Sequence, residues 1–228
     1  MMSYYDQKYN QIILRTTPPY YTTQPFDTIG YFLLRRGYAL GMTALANINH
    51  ISGLHTEDDV LQQFNGAKRN QTRKVLKGKM FVFNTSTEIR PEVWAQMEKN
   101  LHKKFNSKTT HTYAEICDLV QRVPGKIQAA YVDTVDGQYG AFALVYKFKN
   151  VYHTQYLDTN YQYTGEYPNL LLILRLMQNA TKEGYRYFSL GGSTEEGGKL
   201  LNLGLYNYKI GYGGGNIILP QYTWRKNS

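Results

Sequence analysis

A single cysteine, Cys117, stands in 228 residues. No disulfide framework can be built from it, and no second thiol is present for a zinc site or a redox pair. Histidines are few as well: His50 and His55 lie five apart, and His102, His111 and His153 stand alone. That spacing fits no metal site, and the sequence predicts no bound metal. Long apolar runs are also missing. The longest uninterrupted aliphatic stretch, residues 170–174, falls far short of the about 20 residues a bilayer helix needs. The first residues, Met1-Met2-Ser3-Tyr4-Tyr5-Asp6, carry neither the basic start nor the apolar block of a secretory leader. Together these absences predict a cytoplasmic protein with no transmembrane segment.

Acidic charge is the remaining shortage. Seventeen Asp and Glu face 26 Lys and Arg, a formal charge of +9, so the field of the chain attracts nucleic acid, phosphorylated small molecules or acidic membrane surface without choosing among them. Tyrosine, by contrast, is abundant at 22 residues. A phenol joins an apolar ring to a polar tip, which suits a sugar or nucleotide cleft and equally a half-buried strand. At 42% hydrophobic and 14% aromatic, the chain holds enough apolar material for one or two compact cores, which excludes disorder.

Residues 1–56 are rich in Tyr, Thr and Pro. Their apolar segments at 12–14, 31–34 and 38–48, separated by Pro18-Pro19, Pro25 and Gly37, predict short strands with one helical turn, a β-rich N-terminal extension or partial lobe. The main domain, 57–228, then opens on Val60, Leu61, Phe64, Ala67, Val75 and Leu76 at helical spacing, a helix or broken helix pair that stops at Gly78. Pro91 starts a helix whose stripe is Val93, Trp94, Met97, Leu101 and Phe105. Thr112 and Glu115 have the spacing of a capping box, and the helix they open must end before Pro124. Residues 127–132, 141–148 and 151–157 read as three successive antiparallel strands turned at Asp136-Gly137 and Lys149-Asn150. In the third, strict alternation puts Tyr152, Thr154 and Tyr156 on one face and Val151, His153, Gln155 and Leu157 on the other. A helix too apolar for the surface runs from Pro168 to Gly184, followed by a strand at 185–190 and a sharp turn at Gly191-Gly192. Ser193 and Glu196 form a second capping-box pair opening a short helix, and the last strand is 216–222.

From Glu88 on, the order helix, helix, three-stranded meander, helix, strand, short helix, strand resembles the GNAT acyltransferase fold. That resemblance implies an α/β (α+β) protein with a mixed, largely antiparallel sheet flanked by helices, in which the strands after the meander splay apart and the acyl donor enters the gap. The motifs resemble a narrower group. Gly191-Gly192-Ser193-Thr194-Glu195-Glu196-Gly197-Gly198, Leu201-Asn202-Leu203-Gly204-Leu205 and Tyr208-Lys209-Ile210-Gly211-Tyr212-Gly213 are similar to the closing signature of FemAB-related GNAT proteins. Asn70-Gln71-Thr72-Arg73-Lys74-Val75-Leu76-Lys77-Gly78 is similar to that group's basic segment, and His111-Thr112 also fits. The resemblance covers residues 57–224 and is most specific over the final forty residues. It implies transfer of an acyl or aminoacyl group to an amine on a cell-wall precursor or an amino sugar of a surface polysaccharide. The donor it implies is an acyl-CoA, or charged tRNA in the aminoacyl alternative. A non-catalytic GNAT-fold binding module is the third reading, because residues 159–169 read Thr-Asn-Tyr-Gln-Tyr-Thr-Gly-Glu-Tyr-Pro-Asn where a coenzyme A enzyme carries a Gln/Arg-x-x-Gly-x-Gly/Ala phosphate loop.

An amine attacking a thioester or ester needs a proton acceptor, and the oxyanion that develops needs a positive group or N–H donors. Glu195, beside glycines at a strand-to-helix turn, is the candidate base, with Glu196 left to capping. Lys209 follows Tyr208 among the glycines 211 and 213–215, and the resemblance makes this aromatic–lysine pair the assistant of acyl transfer. Ser193, Thr194, Asn202 and Tyr208 join it as substrate-binding candidates, together with Tyr156 across the expected gap. His111, which precedes the Thr112 cap near a positive helix end, is the last of these candidates. The run Lys68, Arg69, Arg73, Lys74, Lys77 and Lys79 puts six positive charges in twelve residues. Arg69, Arg73 and Lys77 recur every fourth residue on one face, and with Lys74 they suit the phosphates of a donor or acceptor. Cys117, beside Ile116 and Leu119, reads as core. The acyl group, the acceptor and the oligomeric state are left open.

Overall fold

The computed structural model describes residues 2–22 and 28–226. Met1, Pro25 and the last two residues lie outside them, as does the side chain of Phe105. In chain order the elements are α1 (Met2–Lys8), β1 (Gln11–Arg15), α2 (Thr28–Arg35), β2 (Ala39–His50), α3 (Glu57–Gln63), α4 (Gly66–Gly78), β3 (Phe81–Ser86), α5 (Pro91–Phe105) and α6 (Tyr113–Arg122). The meander β4 (Ile127–Thr134), β5 (Tyr139–Lys147) and β6 (Val151–Thr159) follows, then α7 (Pro168–Lys182) and β7 (Tyr187–Gly192). Two short strands, β8 (Thr194–Glu195) and β9 (Leu200–Leu201), precede α8 (Leu203–Ile210) and β10 (Gly215–Arg225).

Eight strands form one sheet in the order β1-β10-β2-β7-β6-β5-β4-β3. Every neighbouring pair is antiparallel except β6 and β7, which the α7 crossover joins in parallel. This is the mixed, largely antiparallel sheet of the expected fold. The N-terminal segment contributes to it: β2 lies between β7 and β10, and β1 forms the outer edge.

Period-two alternation on the central strands feeds two cores. Ala130, Val132, Ala141, Ala143 and Val145 pack with α3 and α7 on one face, whereas Ala129, Tyr131, Phe142 and Leu144 meet α5 and α6 on the other. α7 is buried nearly all round because α3 and α4 cover its outer side. The Thr56 capping box starts α3, Asn65 caps α4, and the Thr112–Glu115 box starts α6 as the sequence predicts.

Two local expectations are overturned. The alternation of β6 does not persist, because the pairing with β5 steps from Val145↔Thr154 to Leu144↔Tyr156 and leaves Gln155 as a bulge. Tyr152 and Leu157 consequently share the α7 face, while Tyr156 turns to the α5–α6 face. The second capping box is also absent. Ser193 makes no cap; Thr194 and Glu195 pair with β9 instead, and Glu196, at φ 49, opens a single 3-10 turn. The helix near this position starts later, at Leu203, where the Asn202 side chain accepts from the Leu205 N–H at 2.8 Å.

Ile173 in the middle of α7 is fully buried. Ile173→Ala is expected to cost about 2–5 kcal/mol in denaturant unfolding, the range of a core truncation that leaves a cavity. A loss below about 1 kcal/mol would show that the helix is not packed as described.

Candidate active site

β6 and β7 hydrogen-bond over only three residue pairs, Val151↔Tyr187, Tyr152↔Phe188 and His153↔Ser189. Past that point they separate, as the sequence reading expects. β7 turns through Gly191, at φ 74, and keeps its pairing with β2 across Asn47↔Gly191 and Ala46↔Gly192. A side chain at 191 would be strained at that φ, and its Cβ would come within 3.4 Å of the His153 ring, so glycine suits the turn. β6 continues to Thr159 paired with β5 alone. Its other edge thus presents backbone donors and acceptors to a gap from Thr154 onward. Thr154 closes the apex, its hydroxyl donating to the Ser189 carbonyl at 3.1 Å.

α8 delivers a lysine beside the turn. With its start set by the Asn202 cap, its last turn carries Lys209 inward to 6% exposure, where the ammonium donates to the Gly192 carbonyl. Burial disfavours the charged amine and lowers its pKa to about 8. Burial, reinforced by the Lys209 charge, holds His153 down to about 4. His153 is therefore neutral at pH 7, with Nδ1 3.0 Å from the Ser189 hydroxyl. One residue past the Lys209 acceptor, Ser193 is fully buried with both backbone groups bonded, its N–H to Leu45 and its carbonyl to the Asn202 N–H. Its hydroxyl has no partner among the described residues.

A second lysine braces α8 from behind. Lys68 Nζ lies 4.4 Å from the ring centre of Tyr208 and 4.1 Å from that of Tyr212. The two phenols bond each other, and both accept from Asn169 Nδ2 at the start of α7. Burial lowers the Lys68 pKa to about 8 as well. The end of the lysine side chain passes against Gly211, so a Cβ there would push the lysine aside. Sequence reading counts Lys68 only as one charge of a run, and it leaves His153 isolated. The glycines at 211, 213 and 214 signal close neighbours, but they do not say which.

The other candidates are spread over the surface around the gap. Glu195 is exposed and accepts from Asn202 Nδ2 at 2.6 Å, and Thr194 pairs with Leu201. Tyr156 and His111 meet each other, phenol to Nδ1 at 2.9 Å, and the Tyr156 ring stands edge-on to Trp94. Tyr156 belongs to the α5–α6 face because of the Gln155 bulge, so it does not point with Tyr152 as the alternation predicts. In the basic stripe, Arg73 pairs with Asp58 at 3.0 Å and Arg69 bonds Gln62 at 2.6 Å, both from α4 back to α3. Lys77 is exposed, and Lys74 borders a hollow of about 370 Å³ with Val75, Phe81 and Tyr167. Among the described residues no three His, Cys, Asp or Glu side chains converge as metal ligands.

The Lys209 titration has a direct consequence for stability. Below pH 8 the folded chain carries a buried charge that the unfolded chain solvates; between pH 8 and the ordinary lysine value of 10.5 the folded amine is neutral while the unfolded one still binds a proton. The unfolded state then binds more protons, and stability rises with pH. Wild type is expected to gain about 2–3 kcal/mol relative to Lys209→Met across that window, read by urea unfolding at a series of pH values. A flat difference would place the ammonium in solvent.

The profile of the acetyltransferase (GNAT) domain family matches residues 62–209. No curated protein matches the chain. Among solved structures, it is similar to the crystal structure of FemX at a TM-score of 0.72 and 12% identity, over 96% of this chain and 72% of that one. It is also similar to L-PGS from Bacillus licheniformis, at a TM-score of 0.64 and 15% identity over 99% of this chain and 71% of that one. The C-terminal domain (DUF2156) of a putative lysylphosphatidylglycerol synthetase from Agrobacterium fabrum matches at a TM-score of 0.54 and 14% identity, over 87% of this chain and 65% of that one. At these identities the likeness is one of fold.

Proposed function

The chain belongs to the acetyltransferase (GNAT) domain family, whose profile spans nearly two thirds of it, and we propose that it transfers an acyl or aminoacyl group to an amine on a cell-wall or surface-polysaccharide precursor. The observation that carries this reading is the fork between β6 and β7, with an open strand edge beginning at Thr154 and a desolvated ammonium at Gly192. An extended donor bearing amides can hydrogen-bond to that edge as a further strand would, which brings its carbonyl toward the fork. When the acceptor amine attacks, charge develops on the carbonyl oxygen. Lys209 is buried, so its charge acts there with little water to screen it. A pKa of about 8 leaves the group protonated at neutral pH. The orphan Ser193 hydroxyl is a second donor for the same oxygen. Glu195 is the proposed proton acceptor, working from the outer rim where Asn202 holds it.

The donor is an acyl-CoA in the first reading and charged tRNA in the second. The second is favoured by the segment before α7, which forms a 3-10 turn at Tyr161–Glu166 and enters α7 through Tyr167 in the left-handed region rather than through a glycine-rich loop. The charge of +9 acts in the same direction. The Lys74 and Lys77 side chains, which join none of the ion pairs among the described residues, are then proposed phosphate contacts. Mass spectrometry of ligands retained through purification separates the readings: coenzyme A supports the first, and co-purifying tRNA the second.

With the retained donor class in hand, Lys209→Met is expected to lower turnover by about 10²-fold or more at unchanged fold, as for loss of one oxyanion-stabilising group. Glu195→Gln should cost a similar factor that shrinks at high pH, where the acceptor amine is already deprotonated. Full turnover in both variants would remove this site assignment.

A further inference from the structure

The first forty residues expose apolar surface out of proportion to their length. Nine of the 19 large exposed hydrophobic side chains among the described residues lie there, and four of them crowd the eight-residue helix α2. Ile29, Tyr31, Phe32 and Leu34 are 64, 60, 59 and 50% exposed, whereas only Gly30 and Leu33 turn inward, toward a small cluster of Tyr38 and Tyr222. At about 100° per residue the four exposed side chains spread over most of the helix circumference. They form a convex ridge rather than a groove or a flat patch. At its C-terminal end stand Arg35 and Arg36, both exposed and in none of the ion pairs among the described residues.

We propose that α2 with Arg35 and Arg36 is a peripheral docking element for an anionic lipid bilayer. A short helix proud of its sheet, with Phe, Tyr, Leu and Ile over its outer side and arginines at one end, can sink its apolar ridge to the acyl boundary and leave the guanidinium groups at the phosphates. The net charge of +9 adds long-range attraction of the same sign. A second copy of the chain fits less well. Four half-exposed side chains offer roughly 400 Å², against the about 800 Å² per partner of a stable interface. The inference is independent of which group is transferred.

Co-sedimentation tests it without any activity assay, using vesicles of phosphatidylcholine alone and of two parts phosphatidylcholine to one part phosphatidylglycerol. The full chain is expected to pellet with the anionic vesicles, less so as salt rises. Arg35→Gln with Arg36→Gln should weaken that partitioning by about thirty-fold, at roughly one kcal/mol per basic residue. Phe32→Ser with Leu34→Ser should weaken it by about tenfold or more. All four positions are exposed, and circular dichroism confirms that the variants stay folded. Failure to pellet with anionic vesicles, or equal pelleting by wild type and both variants, overturns the proposal. So does a concentration-dependent dimer in light scattering that Phe32→Ser with Leu34→Ser abolishes, which would assign the ridge to a second copy.

Discussion

The chemistry proposed here depends on a strand with an unsatisfied edge. β7 pairs antiparallel with β2 on one edge and parallel with β6 on the other, and past Ser189 it keeps only β2. An unpaired strand edge inside a sheet exposes backbone groups that would normally be bonded. The fold keeps that edge open by holding the two strands independently. β5 supports β6 along its whole length, α7 spans the crossover between β6 and β7, and Gly191 gives β7 the left-handed turn that carries it away. The gap is therefore built into the sheet rather than left between movable loops.

Two lysines with depressed pKa values lie on opposite sides of α8. Lys209 bonds the Gly192 carbonyl; Lys68 lies over the inner rings of Tyr208 and Tyr212, the latter fully buried. Neither has a carboxylate among the ion pairs of the described residues. A buried cation without a counter-charge costs stability, and a scaffold that keeps one in place is using stability for function. The aromatic cage offsets part of the cost for Lys68, because ring faces replace some of the lost hydration. For Lys209 the cost is not offset in this way, which is why a developing negative charge in the gap would be welcome there.

The N-terminal segment plays a double part. Its strand β2 supplies the partner that draws β7 off β6, so the fork requires residues that the closing motifs do not contain. Its helix α2 contributes little to any core and displays its apolar side chains outward. One stretch of chain thus shapes the gap on one side and offers a surface for docking on the other.

Local signals locate the meander, α5, α6 and α7: apolar spacing, turn dipeptides, Pro at a first turn, or a Thr–Glu cap. The closing glycine-rich motif singles out Lys209 and Tyr208, and the structure buries Lys209 and partly buries Tyr208. What local rules could not reach were events set by partners distant in sequence. The bulge at Gln155 flips Tyr156 to the other face because β5 and β6 must adjust their register. The Ser193–Glu196 spacing forms no cap because that segment pairs with β9, and Asn202 caps the helix instead. Lys68 and His153 acquired their shifted pKa values only when α8 and β7 packed against them, since desolvation is a property of the assembled environment and not of the residue. The sequence by itself determined the meander, the helices α5, α6 and α7, and that a lysine would follow a tyrosine among glycines. The tertiary structure decided which face each side chain took and which charges lost their water, because strand register and burial are set by contacts between residues far apart in the chain.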